Sequence, residues 1–371
     1  MKVKAKVLFP AALPPPQHGV CLVNKNILEF WDDKKSELIF VDISDKRISI
    51  ENIGRLDFIN LFLAFKHLFL FLYYLLRYNP QAVILNLSQG FWGFFRDSSF
   101  IISARFLSRA RIACRFPGGD FLKFYNSSNK PLKKFIIKTL GWVNLIITEG
   151  KNIGLQFEQI SPGIKTASIT TGIADEGLYS EHKAGEGFNI LFIANHRKEK
   201  GFFDALYILP DIKKENSQIK FSFVGELSFS KKELDDINNF IRQNQLEGMA
   251  EFPGLQHGQE KGAYFRASDL LILPSYTEGL PLSILEGLSA GLVIIATNVG
   301  VIPEVIKEGE NGFLFTPGDR EALKKHILFL ADHRDLTRQI SRRNRLYFES
   351  QFRVERFVKE LQDSIELLSV N

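Results

Sequence analysis

Residues 269–291 read DLLILPSYTEGLPLSILEGLSAG, and this stretch decides the fold. The run DLLILPS (269–275) has the length and composition of a buried strand. A glycine turn follows, and PLSILEGLSAG (281–291) then spaces its apolar residues as a helix does. Strand, turn and helix in this order form part of a parallel α/β sheet, and such sheets bind ligands beyond the carboxyl ends of their strands. Pro281 suits the first turn of the helix, where its missing N–H has no intrahelical partner. Gly279 permits close backbone approach. The amides that open the helix, with the positive end of its dipole, predict an anion site. Glu278 lies in the turn and Glu286 within about two turns of the helix start. Like charge keeps both carboxylates off a phosphate, but both can accept hydrogen bonds from sugar hydroxyls on either side of a diphosphate. Glu286 would then suit a ribose, and Glu278 a transferred sugar.

The same alternation of strand and helix extends along the chain in both directions. Strand-like runs fall at 6–9, 37–43, 82–87, 110–116, 144–148 and 166–173, and again at 188–195, 219–226, 250–255, 269–275, 292–297 and 312–316. Helical stretches separate them, which predicts α/β architecture with parallel sheets. The 371 residues suffice for two domains. A first domain is expected over 1–178, a polar linker over 179–187 (YSEHKAGEG), and a second domain over 188–350. The tail is helical from about Arg320, breaking near Asp332 and Ser350, and its last piece, 351–371, is an amphipathic helix that either its own domain or, by crossing back, the first domain could cover.

Hydrophobic residues make up 45% and charged residues 24%, the balance of a folded globular chain. Two cysteines, Cys21 and Cys114, are too few for a disulfide framework or a thiolate metal site. The formal charge of +5 is uneven: from Arg55 to Lys151 fourteen Lys/Arg face four Asp/Glu. Such a basic, aromatic-rich half points to an anionic surface. Nucleic acid is not the expected partner, because no zinc-finger spacing, RNP-like motif or basic heptad run occurs. Residues 58–78, FINLFLAFKHLFLFLYYLLRY, have the length and apolarity of a spanning helix. They fall where the alternation requires a helix between strands, and Lys66 and His67 lie at the centre, so a surface helix that buries one face is expected. FWGFFR (91–96), expected as a loop, adds aromatics and a cation, followed by Arg105, Arg109 and Arg111. Aromatics beside basic residues suit an anionic membrane surface, and the expected location is the cytoplasm, on the inner face of the membrane.

The stretch ASDLLILPSYTEGLPLSILEGLSAGLVIIATNVGVIPEVIKEGENGFLF (267–315), with its E-x7-E spacing from Glu278 to Glu286, resembles glycosyltransferase family 4, the group 1 retaining glycosyltransferases of GT-B fold. The resemblance is densest from Phe188 to Asp319. It implies two facing Rossmann-like domains with a central cleft, and transfer of a sugar from a UDP- or GDP-linked donor to a glycan or lipid-linked acceptor in cell-envelope polysaccharide synthesis. Glu278 and Lys200 would be the catalytic pair. The donor would be held by Gly19, Arg197, Lys200, Leu255, Glu278, Gly279, Leu280, Pro281, Leu282 and Glu286. In LFIANHRKEKG (191–201), Lys200 and Gly201 match the family's Lys-Gly, but Asn195 stands where the family usually has arginine, and Arg197 is the candidate replacement. On the acceptor side the candidates are His18 in LPPPQHGV (13–20), and Arg115, Gly118, Gly119 and Asp120 in CRFPGGDFLKFY (114–125). Pro117 replaces the histidine that often precedes those glycines. No cofactor and no metal are expected, since the chain has no Asp-x-Asp motif and no clustered histidines. The departures at Asn195 and Pro117 keep a non-catalytic sugar-nucleotide-binding or scaffold subunit as the alternative, with a nucleotide-sugar epimerase of the same fold. A NAD-dependent dehydrogenase is disfavoured, because no G-x-G-x-x-G follows the first strand.

Overall fold

The computed structural model describes residues 4–15, 18–45, 58–119, 121–180 and 187–370. The chain divides into two compact units, 1–174 with 354–371, and 175–353.

The first unit runs β1 (Ala5–Ala11), α1 (Gly19–Phe30), β2 (Ser36–Asp42), α2 (Phe58–Tyr78), β3 (Ala82–Asn86), α3 (Phe91–Leu107), β4 (Arg111–Phe116), α4 (Phe121–Ser127), α5 (Lys130–Leu140), β5 (Leu145–Thr148), α6 (Lys151–Ile160) and β6 (Thr166–Ser168). Its six strands form a sheet of order β2-β1-β3-β4-β5-β6, parallel at every pairing. The central strands are apolar at nearly every position: Val7, Leu8, Phe9, Val83, Ile84 and Ala113 are fully buried. Strands buried on both faces read this way.

The second unit runs β7 (Phe188–Ile193), a short 3-10 turn (Lys198–Lys200), α7 (Phe202–Tyr207), α8 (Leu209–Glu215), β8 (Ile219–Val224), α9 (Lys231–Gln243), β9 (Ala250–Gly254), α10 (Gly258–Ala267), β10 (Leu270–Leu273), α11 (Leu282–Ser289), β11 (Val293–Thr297), α12 (Ile302–Val305), β12 (Gly312–Phe315), α13 (Arg320–Asp332) and α14 (Arg334–Gln351). The sheet order is β12-β11-β10-β7-β8-β9, again parallel throughout. The neighbours β10 and β7 are the strands from which the connections leave in opposite directions, and that switch point opens a crevice.

The last helix, α15 (Val354–Val370), belongs to the first unit. Val354, Phe357, Val358, Leu361 and Ile365 are buried. Gln362 donates to the Asp32 carbonyl at 2.9 Å and to Ser36 Oγ at 2.8 Å.

The twelve expected strand runs each form a strand, but the crossing into the second unit lies earlier than the expected linker. Asp175 is held by Arg345 at 2.5 Å and Arg353 at 3.2 Å. Leu178 is buried, and the Tyr179 ring packs where a Cβ on Gly291 would stand. These contacts anchor residues 175–179 to the second unit; residues 181–186 of the expected linker lie outside the described residues. A second correction concerns FWGFFR, which opens α3 rather than forming a loop. Asp97 of that helix accepts the Ser88 amide at 2.8 Å, and Phe94 is buried against Phe121, Phe124 and Phe135. A helix with one buried aromatic satisfies the backbone there as a loop would not.

Candidate active site

At the switch point of the second sheet, the loop after β7 and the loop after β10 are joined in three ways. The Tyr276 amide donates to the Glu199 carbonyl at 2.8 Å. Lys200 Nζ meets Glu278 Oε1 at 2.7 Å. Gly201 turns with φ +71°, and a Cβ on it would stand 2.0 Å from the Pro274 carbonyl oxygen. Two further strand ends close on this pair. Gly300, after β11, has φ +57° and would place a Cβ 2.1 Å from the Glu278 carbonyl oxygen. Val301 donates to the Gly279 carbonyl at 3.2 Å. Gly225, after β8, would place a Cβ 1.8 Å from the Ala194 carbonyl oxygen. These glycines exist because backbone meets backbone there, and only glycine adopts φ above zero without strain.

A buried carboxylate supports the Tyr276 loop. Asp204, 4% exposed, accepts from the Tyr276 hydroxyl at 2.8 Å and from Arg320 Nε at 2.7 Å. The hydrogen bond to Asp204 pushes the Tyr276 phenol above its ordinary range. His196 is fully buried among Phe192, Phe202 and Phe223. Burial lowers its pKa to about 4, so it anchors the β7 loop as a neutral ring.

Helix α11 begins at Leu282, with Pro281 as the extended residue before it, one position later than the sequence predicts. Glu278, 9% exposed, thus sits just before the positive end of a helix and against a lysine. Leu280 is buried, which presses the turn onto the core. One turn into α11, the side chain of Glu286 is 17% exposed and accepts from Lys261 Nζ of α10 at 2.6 Å. Burial raises the Glu286 pKa, and Lys261 acts against that shift. Each carboxylate of the E-x7-E spacing therefore has its own lysine. Lys261 was not among the sequence candidates, since α10 and α11 meet only because of the sheet order. Asp204 and Arg320 were missed for the same reason. Arg197 is exposed and makes no ion pair among the described residues, and Leu255, 54% exposed, caps the carboxyl end of β9.

The first-unit candidates sit at the carboxyl ends of that unit's strands, with mixed outcomes. Gly19 opens α1, and His18 precedes it in extended conformation. His18 Nε2 lies 3.1 Å from Cys21 Sγ. Burial lowers the His18 pKa and raises that of the Cys21 thiol to about 11, so the pair is neutral near pH 7. Arg115 is 3% exposed, donates through Nη1 to Asn24 Oδ1 at 3.3 Å and Asn86 Oδ1 at 3.2 Å, and lies over the Phe357 ring, so it links α1, β3 and α15. Burial lowers its pKa to about 10. A Cβ on Gly118 would stand 2.6 Å from Phe116 Cζ and 2.7 Å from Gln89 Oε1, so packing requires this glycine. Gly119 is buried, its carbonyl 3.4 Å from Gln156 Nε2. Asp120 lies outside the described residues.

A lysine and a carboxylate are paired across the switch point of the second sheet, just before a helix start. Residues 179–347 match the family described as glycosyl transferases, group 1. That match lies within the second unit, residues 175–353. An uncharacterized glycosyltransferase of Methanocaldococcus jannaschii is 28% identical over 213 residues, 57% of each chain. A putative colanic acid biosynthesis glycosyltransferase of Salmonella typhimurium is 25% identical over 166 residues, 43% of this chain and 40% of that protein. The matched stretch thus spans less than two thirds of either relative. The fold resembles that of the Anabaena protein HepE in complex with UDP, with a TM-score of 0.74 at 16% identity over 97% of this chain and 99% of that one. The two six-stranded parallel α/β units are those of the GT-B fold.

Proposed function

We propose that the protein transfers a sugar from a nucleoside diphosphate sugar to a hydroxyl of a glycan or lipid-linked acceptor in polysaccharide synthesis, with retention at the anomeric carbon. The observation that carries this reading is the Lys200–Glu278 pair at the start of α11. In the reaction the bond from the anomeric carbon to the diphosphate breaks, and the leaving phosphate takes the electron pair. The acceptor oxygen bonds to the same carbon, and its proton passes to the leaving phosphate. Negative charge grows on that phosphate, where the Lys200 ammonium and the helix start would stabilise it. As the diphosphate draws Lys200 away, Glu278 is freed to accept a hydroxyl of the transferred sugar. Glu286 would accept the ribose hydroxyls. These protein groups supply the positive charge, and the reading requires no metal, so chelation by EDTA is expected to leave turnover unchanged. The relative from colanic acid synthesis and the UDP held by the structural neighbour support the substrate classes.

Calorimetry with UDP-, GDP- and ADP-sugars, followed by a hydrolysis assay, tests the proposal. Binding of one class with slow donor hydrolysis is expected; no binding to any of them would sink it. Binding without turnover on any lipid-linked or glycan acceptor would favour a non-catalytic subunit.

The lysine beside Glu286 adds a pH prediction. Ribose hydroxyls bind the ionised carboxylate, so donor affinity falls as pH drops through the raised pKa of Glu286. Lys261 holds that pKa down. In Lys261→Ala the fall in affinity is therefore expected to begin at a higher pH, and Lys261→Arg should restore the original profile. Isothermal titration of UDP-sugar across pH 5–8 reads this out. Parallel pH profiles for wild type and Lys261→Ala would refute it.

A further inference from the structure

We propose that the outer face of α2, continued by α3 and α5, is a docking surface for an anionic lipid bilayer on which α2 lies in the plane of the interface. The inference goes beyond sugar transfer and does not depend on it.

An 18-residue window of α2 reaches a mean hydropathy of 1.7, in the range of spanning helices, yet only 17% of it is buried. A helix this apolar is usually buried in a core or in a membrane. Here His67, Phe71 and Leu75, spaced four residues apart, attach it to the first unit, and the Phe71 ring stands 4.9 Å from Phe100 of α3. The helix connects β2 to β3, so it cannot cross a bilayer without leaving its sheet. The opposite side carries Phe58, Phe62, Phe65, Phe69, Tyr73 and Leu76, exposed by 91, 68, 64, 71, 55 and 62%. Steps of three and four residues put all six in one stripe on a helix about 31 Å long. Phe91, Trp92 and Phe95 at the start of α3, and Phe106 and Leu107 at its end, are about half exposed or more. Soluble monomers rarely leave so much contiguous apolar surface in water.

Charge selects the partner. Lys66 and Arg77 flank the α2 stripe, and Arg105, Arg109, Lys130, Lys134 and Lys138 are exposed on α3, α5 and the intervening loops. The described acids between residues 58 and 151 are Asp97 and Glu149, both buried, and Asp97 is paired with Arg96. The exposed surface of this segment is thus apolar and cationic, with no exposed carboxylate among the described residues. A second copy of the same surface would oppose cation to cation. An anionic leaflet offers hydrocarbon for the rings and phosphates for the lysines and arginines, each basic residue adding to the attraction and losing it in salt.

Flotation of the full chain with vesicles tests this. Wild type is expected to float with phosphatidylcholine–phosphatidylglycerol vesicles, much less with phosphatidylcholine alone, and less again in high salt. Phe62→Ser/Phe65→Ser/Phe69→Ser should lower the partition coefficient at least tenfold, and Lys66→Glu should weaken binding at low salt and flatten its dependence on salt. These positions are exposed, so the triple variant should keep the wild-type circular dichroism and nucleotide binding. Equal flotation of wild type and triple variant would overturn the proposal. So would wild type that ignores both vesicle types, or sedimentation showing a dimer that the triple substitution dissociates.

Discussion

Lys200→Ala is expected to lower turnover by about 100- to 1000-fold, the usual effect of removing one group that stabilises charge in a transition state. Two losses combine. The leaving diphosphate loses its nearest fixed cation, in a loop where Asn195 already replaces the usual arginine. Glu278, 9% exposed, is also left without the lysine 2.7 Å away. A buried acceptor without its partner costs about 1–3 kcal/mol. The variant should therefore also melt at a lower temperature. Glu278→Gln separates the effects: it keeps the shape and removes the like charge, so phosphate binding should hold while turnover falls. Steady-state transfer assays with a thermal melt of each variant measure both. A loss of less than tenfold in Lys200→Ala would show that the diphosphate lies elsewhere.

The second large effect is Gly201→Ala, which is expected to abolish donor binding and to destabilise the second unit by about 3 kcal/mol or more. The added methyl would stand 2.0 Å from the Pro274 carbonyl oxygen, and the backbone at φ +71° already disfavours any side chain. The β7 loop must then lift off the β10 loop, separating Lys200 from Glu278 and breaking the bond from Tyr276 to Glu199. Gly309→Ala is the control, since it shares a positive φ but meets nothing within 4 Å. It should cost only its backbone strain and leave nucleotide binding intact. Chemical denaturation with nucleotide titration decides between them; equal behaviour of the two variants would refute the contact argument.

Much of this was legible in the sequence because it is local. Buried parallel strands are continuous apolar runs, so each of the twelve strands could be read, although the run at 166–173 shortens to Thr166–Ser168. Ile169 makes the last bond to β5, donating to Thr148, and by Ile173 the backbone has turned to Val354, whose amide it accepts. Glu278, Gly279 and Glu286 were visible because one turn and one helix hold all three. Lys261, Asp204 and Arg320 were not, since they reach the site from helices that become neighbours only when the strands order themselves. The packing of Arg115 was not legible for a related reason. Nothing in CRFPGG reveals that Phe357, far along the chain, covers it.

The return of α15 to the first unit has a consequence for the order of synthesis. The ribosome makes residues 1–174 first, but Phe357, Leu361 and Ile365 of that unit's core emerge only after all of residues 175–353. The first unit therefore waits with Arg115 and the α1 surface uncovered until all of the second unit has been made. Domains generally fold as units during translation, the N-terminal one first; here the discontinuity removes that head start, and the waiting half is the one with the long apolar helix.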